Sequence, residues 1–154
     1  MGNYKLLNIK DLPGGMDMGF KYYYSKWGSP KSYNFFYDAM LHSSNEATGL
    51  PRFYVLLKNN EIIGCCSLVI NDFISRHDLY PWLAGVYIEP AERGKELGNL
   101  MMRMAEEEAK KIGFSKVYLT TDHAGYYEKY GWQRMQDGYD LNGEKGRIYW
   151  KDLR

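Results

Sequence analysis

The sequence has no apolar run near the roughly 18 residues that a membrane-spanning helix requires. Its first residues, Met-Gly-Asn-Tyr-Lys-Leu-Leu, lack the apolar core of a signal peptide. Both absences predict a cytoplasmic chain with no membrane partner. Charge of one sign is also missing: 20 Lys and Arg face 19 Asp and Glu, a formal charge of +1. That balance offers no electrostatic footprint for nucleic acid. Cysteine is scarce. Cys65 and Cys66 are neighbours in an expected strand, so they project to opposite faces and cannot form a disulfide framework. One thiol is expected to be buried and the other partly exposed. His42 and His77 have no partner pattern and read as surface residues. No His, Cys and carboxylate set has ligand spacing, so no metal is expected.

What is present suits one domain spanning residues 1–154. Apolar residues make up 45% of the chain and charged residues 25%, near the globular average. Fifteen tyrosines and four tryptophans favour a strand-rich fold with a lined pocket. Periodicity and breakers predict a strand over 3–9, helices over 16–27 and 32–41, and strands over 52–57 and 61–70. Lys58-Asn59-Asn60 joins the last two as a hairpin, and Gly64 marks a bulge or a close backbone approach. A strand over 80–88 follows, then a helix from Lys95 to a glycine cap at Gly113. A strand over 115–121, a short helix over 124–130 closed by Gly131, and strands over 132–139 and 146–151 complete the order. The central strand–helix–strand unit implies a parallel pair with a right-handed crossover. Hairpins on either side imply antiparallel flanks. The fold class is therefore α/β, a mixed sheet with helices packed on it.

Leu83–Gly98 is the stretch around which these elements are arranged. It runs from a strand into a proline, through a basic loop with glycine, and into a long amphipathic helix. Such a helix start directs unpaired N–H groups and the positive end of the helix dipole at one point, a site for an anion and most often a phosphate. It is not a P-loop, because no Gly-Lys-Ser/Thr follows. It is not a dinucleotide fingerprint either, which needs three spaced glycines and an acid about 20 residues on.

Two segments carry a family resemblance. Val86-Tyr-Ile-Glu-Pro-Ala-Glu-Arg93-Gly94-Lys95-Glu96-Leu97-Gly98 resembles the acetyl-CoA-binding motif of the GNAT acyltransferase superfamily. Tyr126-Tyr127-Glu128-Lys129-Tyr130-Gly131-Trp132 is similar to that family's Phe-Tyr-Glu-Lys-x-Gly-Phe segment. Their separation also fits, so the likeness covers roughly residues 52–150, with the N-terminal third matching only in element order. It implies a GNAT-like sheet and acetyl-CoA as co-substrate. It also implies transfer of the acetyl group to the amine of a small molecule by direct attack on the thioester. Val86, Tyr87 and Ile88 would pair with the pantetheine and polarise the thioester carbonyl through a backbone N–H. Arg93, Gly94, Lys95, Glu96, Leu97, Gly98 and Asn99 would hold the pyrophosphate, and Asp122 would line the CoA side or cap the short helix. Glu96 departs from the motif, standing where the family has its first glycine and adding negative charge beside an anion.

Tyr127 matches the position of the family's tyrosine acid, which would protonate the leaving thiolate. A packing role for it, or a hydrogen bond to the CoA sulfur, stays open, and Tyr126 reads as core. No general base stands out; Asp72 and Asp78 qualify by position alone. Trp82 and aromatics of the first two helices suggest a partly apolar acceptor site. Residues 1–80 hold seven acids and eight bases, so no bias toward a polycation shows. A non-catalytic acyl-CoA-binding or sensing module and a protein or peptide acetyltransferase are the alternative readings. A homodimer is compatible with either.

Overall fold

The structure, a computed structural model, describes residues 3–154. Its strands are β1 (Tyr4–Asn8), β2 (Arg52–Lys58), β3 (Glu61–Val69), β4 (Trp82–Ile88), β5 (Lys116–Thr121), β6 (Gln133–Tyr139) and β7 (Lys145–Asp152). Its α-helices are α1 (Asp17–Trp27), α2 (Tyr33–Leu41) and α3 (Leu97–Lys111). The strands form one sheet in the order β1-β2-β3-β4-β5-β7-β6. Each neighbouring pair is antiparallel except β4 and β5. That pair encloses α3 as its crossover, the connection a parallel pair demands.

Helices cover both faces of the sheet, and the strand pattern records it. Along β2, Phe53, Val55 and Leu57 join Phe20, Tyr23 and Met40 of α1 and α2 in one core. The intervening Tyr54 and Leu56 join Met101, Met102, Ala105 and Ala109 of α3 in the other. A strand buried on both sides reads as a continuous apolar run, as β2 does. The same alternation sends Cys65 to the α1–α2 core and Cys66 to the α3 core. Both thiols are buried, so the expected partial exposure of one is corrected: neither face of β3 is open.

Local signals account for the element ends. Asn59 and Asn60 both have positive φ, 51° and 71°, which is the two-residue turn that matches strand twist in a hairpin. Pairing skips Ile63 between Gly64 and Ile62, so the bulge expected near Gly64 is present. The close approach is present too: a Cβ at Gly64 would lie 2.6 Å from the Tyr87 carbonyl oxygen. Gly113, at φ 106°, caps α3, with Gly113 N–H donating to Lys110 O and Phe114 N–H to Ala109 O. These two bonds make the Schellman arrangement. Two boundaries differ from expectation. α3 begins at Leu97, because Lys95 and Glu96 belong to the preceding loop. The short helix over 124–130 is only a 3-10 turn, Tyr127–Tyr130, closed by Gly131 at φ 90°.

Burial pushes the Cys65 thiol up to about 12 and the Cys66 thiol upward as well. Neither forms the reactive thiolate at neutral pH. Ellman's reagent should therefore label neither cysteine in the folded protein and both in guanidinium; rapid labelling of the native chain would contradict this packing.

Candidate active site

The parallel pairing of β4 with β5 registers only at Trp82 and Tyr118. Beyond that point the strands part, and no ladder serves the β5-facing main-chain groups of the rest of β4. Leu83, Ala84, Gly85 and Val86 on one side and Leu119 and Thr120 on the other wall a cavity of about 650 Å³. α1, α2 and the β3–β4 connection close its far side, and Tyr127 stands on the α3 side among its lining residues.

A bulge in β4 sets the shape of the opening. Between the pairs Ser67–Ala84 and Cys65–Tyr87, β3 has one residue and β4 has two, Gly85 and Val86. An inserted residue reverses which face each later side chain meets. Leu83 packs in the α3 core, and past the bulge Val86 and Ile88 do so as well, while Tyr87 turns to the α1 side. Gly85 has φ 60°, and a Cβ there would fall 1.9 Å from the Tyr23 hydroxyl oxygen, so only glycine fits. The Tyr23 hydroxyl donates to Ser67 Oγ (3.0 Å), which donates to the Ala84 carbonyl (3.2 Å). Trp27 Nε1 donates to the Gly85 carbonyl at 3.0 Å. The carbonyls of the bulge are thus tied down by α1 and β3. Sequence reasoning missed Ser67 and Gly85, for which the one available signal was a glycine inside an apolar strand; it reached Tyr23 only as one of the first helix's aromatics, which do line the cavity.

The end of β4 is pinned from the same helix. Glu89 accepts from Tyr22 Oη and pairs with Lys26 at 2.9 Å, and both hold its carboxyl below the usual range. The Tyr87 ring lies 4.9 Å from Lys26 Nζ and 5.3 Å from the Arg93 guanidinium. Of the three expected pantetheine residues, then, Val86 faces the cavity, whereas the side chains of Tyr87 and Ile88 pack into the two cores.

In the loop before α3, Arg93 Nε donates back to the Ile88 carbonyl at 2.9 Å. Lys95 pairs with Glu92 at 2.9 Å, and Glu92 also pairs with Lys58 at 3.1 Å. Both loop cations are therefore engaged within the protein. The helix start itself is open. Leu100 N–H donates to Glu96 O, and no side chain caps the N–H groups of Leu97, Gly98 and Asn99. A Cβ at Gly94 or at Gly98 would meet nothing within 4 Å. Glu96 is the N-cap and has φ 58°, the left-handed conformation that explains a glycine in the family motif. Its carboxylate accepts from Tyr130 Oη at 3.3 Å and makes no bond to the helix N–H groups.

Tyr127 is half-buried among Tyr126, Trp132 and Tyr149. Burial raises its phenol, tempered by the Thr121 hydroxyl, so it keeps its proton at neutral pH. Tyr126 is 40% exposed, which corrects its assignment to the core. Asp72 lines the cavity, and burial pushes its carboxyl up to about 6. Asp78 lies in the open, held by both ends of the Arg76 guanidinium at 2.9 Å. Asp122 lines an adjoining pocket of about 300 Å³ that shares Asp72, Phe73 and Thr120 with the cavity, and its carbonyl accepts from Arg147. Trp82 is fully buried beside Ile74, Tyr118 and Ile148, its Nε1 bonded to the Leu79 carbonyl, so it does not line the acceptor cavity. His42 and His77 are both exposed. Among the described residues, no three His, Cys, Asp or Glu side chains converge, and no helix is long and apolar enough to cross a membrane.

A family model described as Acetyltransferase (GNAT) family matches residues 16–132. Comparison with curated proteins finds no match. Among solved structures, a GNAT family acetyltransferase from Elizabethkingia anophelis with acetyl-CoA bound superimposes with a TM-score of 0.64 at 15% identity, covering 97% of this chain and 98% of that one. An aminoglycoside 6'-acetyltransferase type Ii gives 0.68 at 16% identity over 99% and 97%. An acyl-CoA N-acyltransferase from Pseudomonas aeruginosa gives 0.65 at 16% over 98% and 99%. At such identities the likeness is one of fold.

The Asp72 carboxyl binds its proton more tightly in the folded chain than in the unfolded one, where about 3.9 is normal. Its stabilising contribution is complete below that value and is lost as pH rises through about 6. At pH 7–8 the charged form is a burden, so Asp72→Asn should raise stability there by on the order of 1–2 kcal/mol, allowing for partial exposure. At pH 4 the gain should vanish. Thermal unfolding of both proteins across this range measures it, and an equal shift at both ends would count against a buried carboxyl.

Proposed function

Because the chain belongs to the acetyltransferase (GNAT) family, we propose that it transfers the acetyl group of acetyl-CoA to the amine of a small molecule. The observation that carries this reading is the parting of β4 from β5 beside an uncapped helix start, with Tyr127 on the cavity between them. The residues fit the co-substrate. The free N–H groups of Leu97, Gly98 and Asn99, with the open surface at Gly94 and Gly98, suit the pyrophosphate. The unpaired edge of Val86–Ile88 suits pantetheine amides as a further strand, and its N–H groups suit the thioester oxygen. Arg93 and Lys95, each bonded within the protein by its side chain, shape the loop of this site, and Asp122 stands beside it.

The amine must lose its proton before it attacks the thioester carbonyl carbon. Asp72 is the carboxylate on the cavity wall that can accept it and release it to water. As the nitrogen–carbon bond forms and the carbon–sulfur bond breaks, Tyr127 gives its phenolic proton to the leaving sulfur. It recovers one from the newly acylated nitrogen. The net products are an amide, CoA and one proton. Tyr127→Phe should lower kcat on the order of 10²-fold or more while leaving KM for acetyl-CoA nearly unchanged. Turnover at the wild-type rate would dismiss the acid role. An absence of CoA release with any amine, despite acetyl-CoA binding, would favour an acyl-CoA-binding module.

Glu96 raises the free energy of the site twice, by its left-handed backbone and by its charge near the anion position. Glu96→Gly should relieve up to about 1 kcal/mol of backbone strain and tighten acetyl-CoA binding in calorimetry. An unchanged dissociation constant would show that the carboxylate, held at Tyr130, does not reach the pyrophosphate.

A further inference from the structure

The cavity wall facing Val86 and Tyr127 is aromatic: Tyr23 and Trp27 from α1, Phe35 and Phe36 from α2, and Phe53 and Phe73. Among all the residues lining that cavity, Asp72 alone carries a formal charge. Four large apolar residues at the lip are half exposed: Trp27 at 47%, Phe35 at 56%, Ile70 at 54% and Phe73 at 53%. The Phe35 and Phe73 rings lie 6.0 Å apart, joining α2 to the loop after β3.

That loop is held in an unfavourable form. Asn71 brackets it, its Nδ2 donating to Ile74 O at 2.7 Å and its Oδ1 accepting from Ile74 N–H at 3.2 Å. Inside the bracket Phe73 has φ 56°, a left-handed conformation that a bulky side chain rarely adopts. The chain thus spends conformational strain to place an aromatic ring in solvent at the lip, directly after the carboxylate. Strain of that kind, together with an exposed apolar rim, marks a surface that awaits a ligand.

A carboxylate in an aromatic box binds an ammonium both by charge and through the faces of the rings. It suits one ammonium only. Within the cavity a polycation would bring further charges against walls with no second carboxylate, since Asp122, Asp140 and Glu144 line the adjoining pocket instead.

Building on the acetyl-transfer reading above, we propose that the acceptor is a primary monoamine on an apolar, aryl-sized body. Its ammonium is seated by Asp72 and its body is covered by the Trp27, Phe35 and Phe73 rim.

The full chain with acetyl-CoA can be assayed for CoA release with 2-phenylethylamine, ethylamine, spermidine and kanamycin A, and amine binding can be read separately by calorimetry. Phenylethylamine should exceed spermidine and kanamycin in kcat/KM on the order of 100-fold. Asp72→Asn should raise its dissociation constant at least about tenfold. Phe73→Ala should raise KM for phenylethylamine but not for ethylamine, a split that simple loosening of the fold would not produce. Preference for either polycation, or phenylethylamine binding that is indifferent to both substitutions, would overturn the proposal while leaving acetyl transfer intact. Asp72-dependent binding of phenylethylamine without CoA release from any amine would support the amine site and sink the catalytic reading.

Discussion

Everything at this site depends on the failure of β4 and β5 to pair beyond Trp82 and Tyr118. Parallel neighbours require a crossover, and here the crossover is α3. Its N-terminus must therefore lie where β4 ends, at the carboxyl end of the strands. The uncapped N–H groups and the open cleft are thus two consequences of one connection, as is general for ligand sites between parallel strands. Leaving main-chain groups without a ladder is unfavourable unless something else fixes the strand. The bulge supplies this, because Tyr23, Ser67 and Trp27 hold the carbonyls of Ala84 and Gly85 from the opposite side.

The legible part of this protein was the part encoded locally. The hairpin at Asn59–Asn60, the Schellman glycine Gly113 and the strand–loop–helix run through Leu83–Gly98 each follow from residues close in sequence. What resisted reading depends on partners far along the chain. The central strand suggests a pocket role for Trp82, yet its ring packs beside Tyr118 and Ile148, partners far away in sequence. Asp72 and Asp78 were equivalent in sequence. Only the fold separates them, sending one to the cavity wall and the other to Arg76 in solvent. Tyr23 is one aromatic among several in the first helix until α1 is laid under Gly85, and only then does its contact with the bulge appear.

Glu96 shows how a departure from a motif can carry more than one meaning. Read as charge, it is a repulsive neighbour for an anion. Read as backbone, it occupies a left-handed position at the junction of loop and helix, where glycine costs least. The hydrogen bond from Tyr130 turns its carboxylate away from the helix N–H groups. That bond also joins the start of α3 to the turn that carries Tyr127. The two segments that define the site are therefore linked directly, through the residue that breaks the pattern of the first.

The cleft is also asymmetric in charge, and this asymmetry orders its ligands. Beyond the end of β4 lies the positive pole of a 15-residue helix with free N–H groups. The opposite wall offers one carboxylate and a ring of aromatics. In the proposed reaction an anionic donor and a cationic acceptor would be drawn to opposite ends of this space by the field, before any specific contact forms. On the proposed reading the proton that the acceptor sheds passes to Asp72, and the proton that the leaving sulfur needs comes from Tyr127; both side chains line the same cavity. Dividing the work between a carboxylate and a phenol would let one cavity both remove a proton and supply one in a single passage.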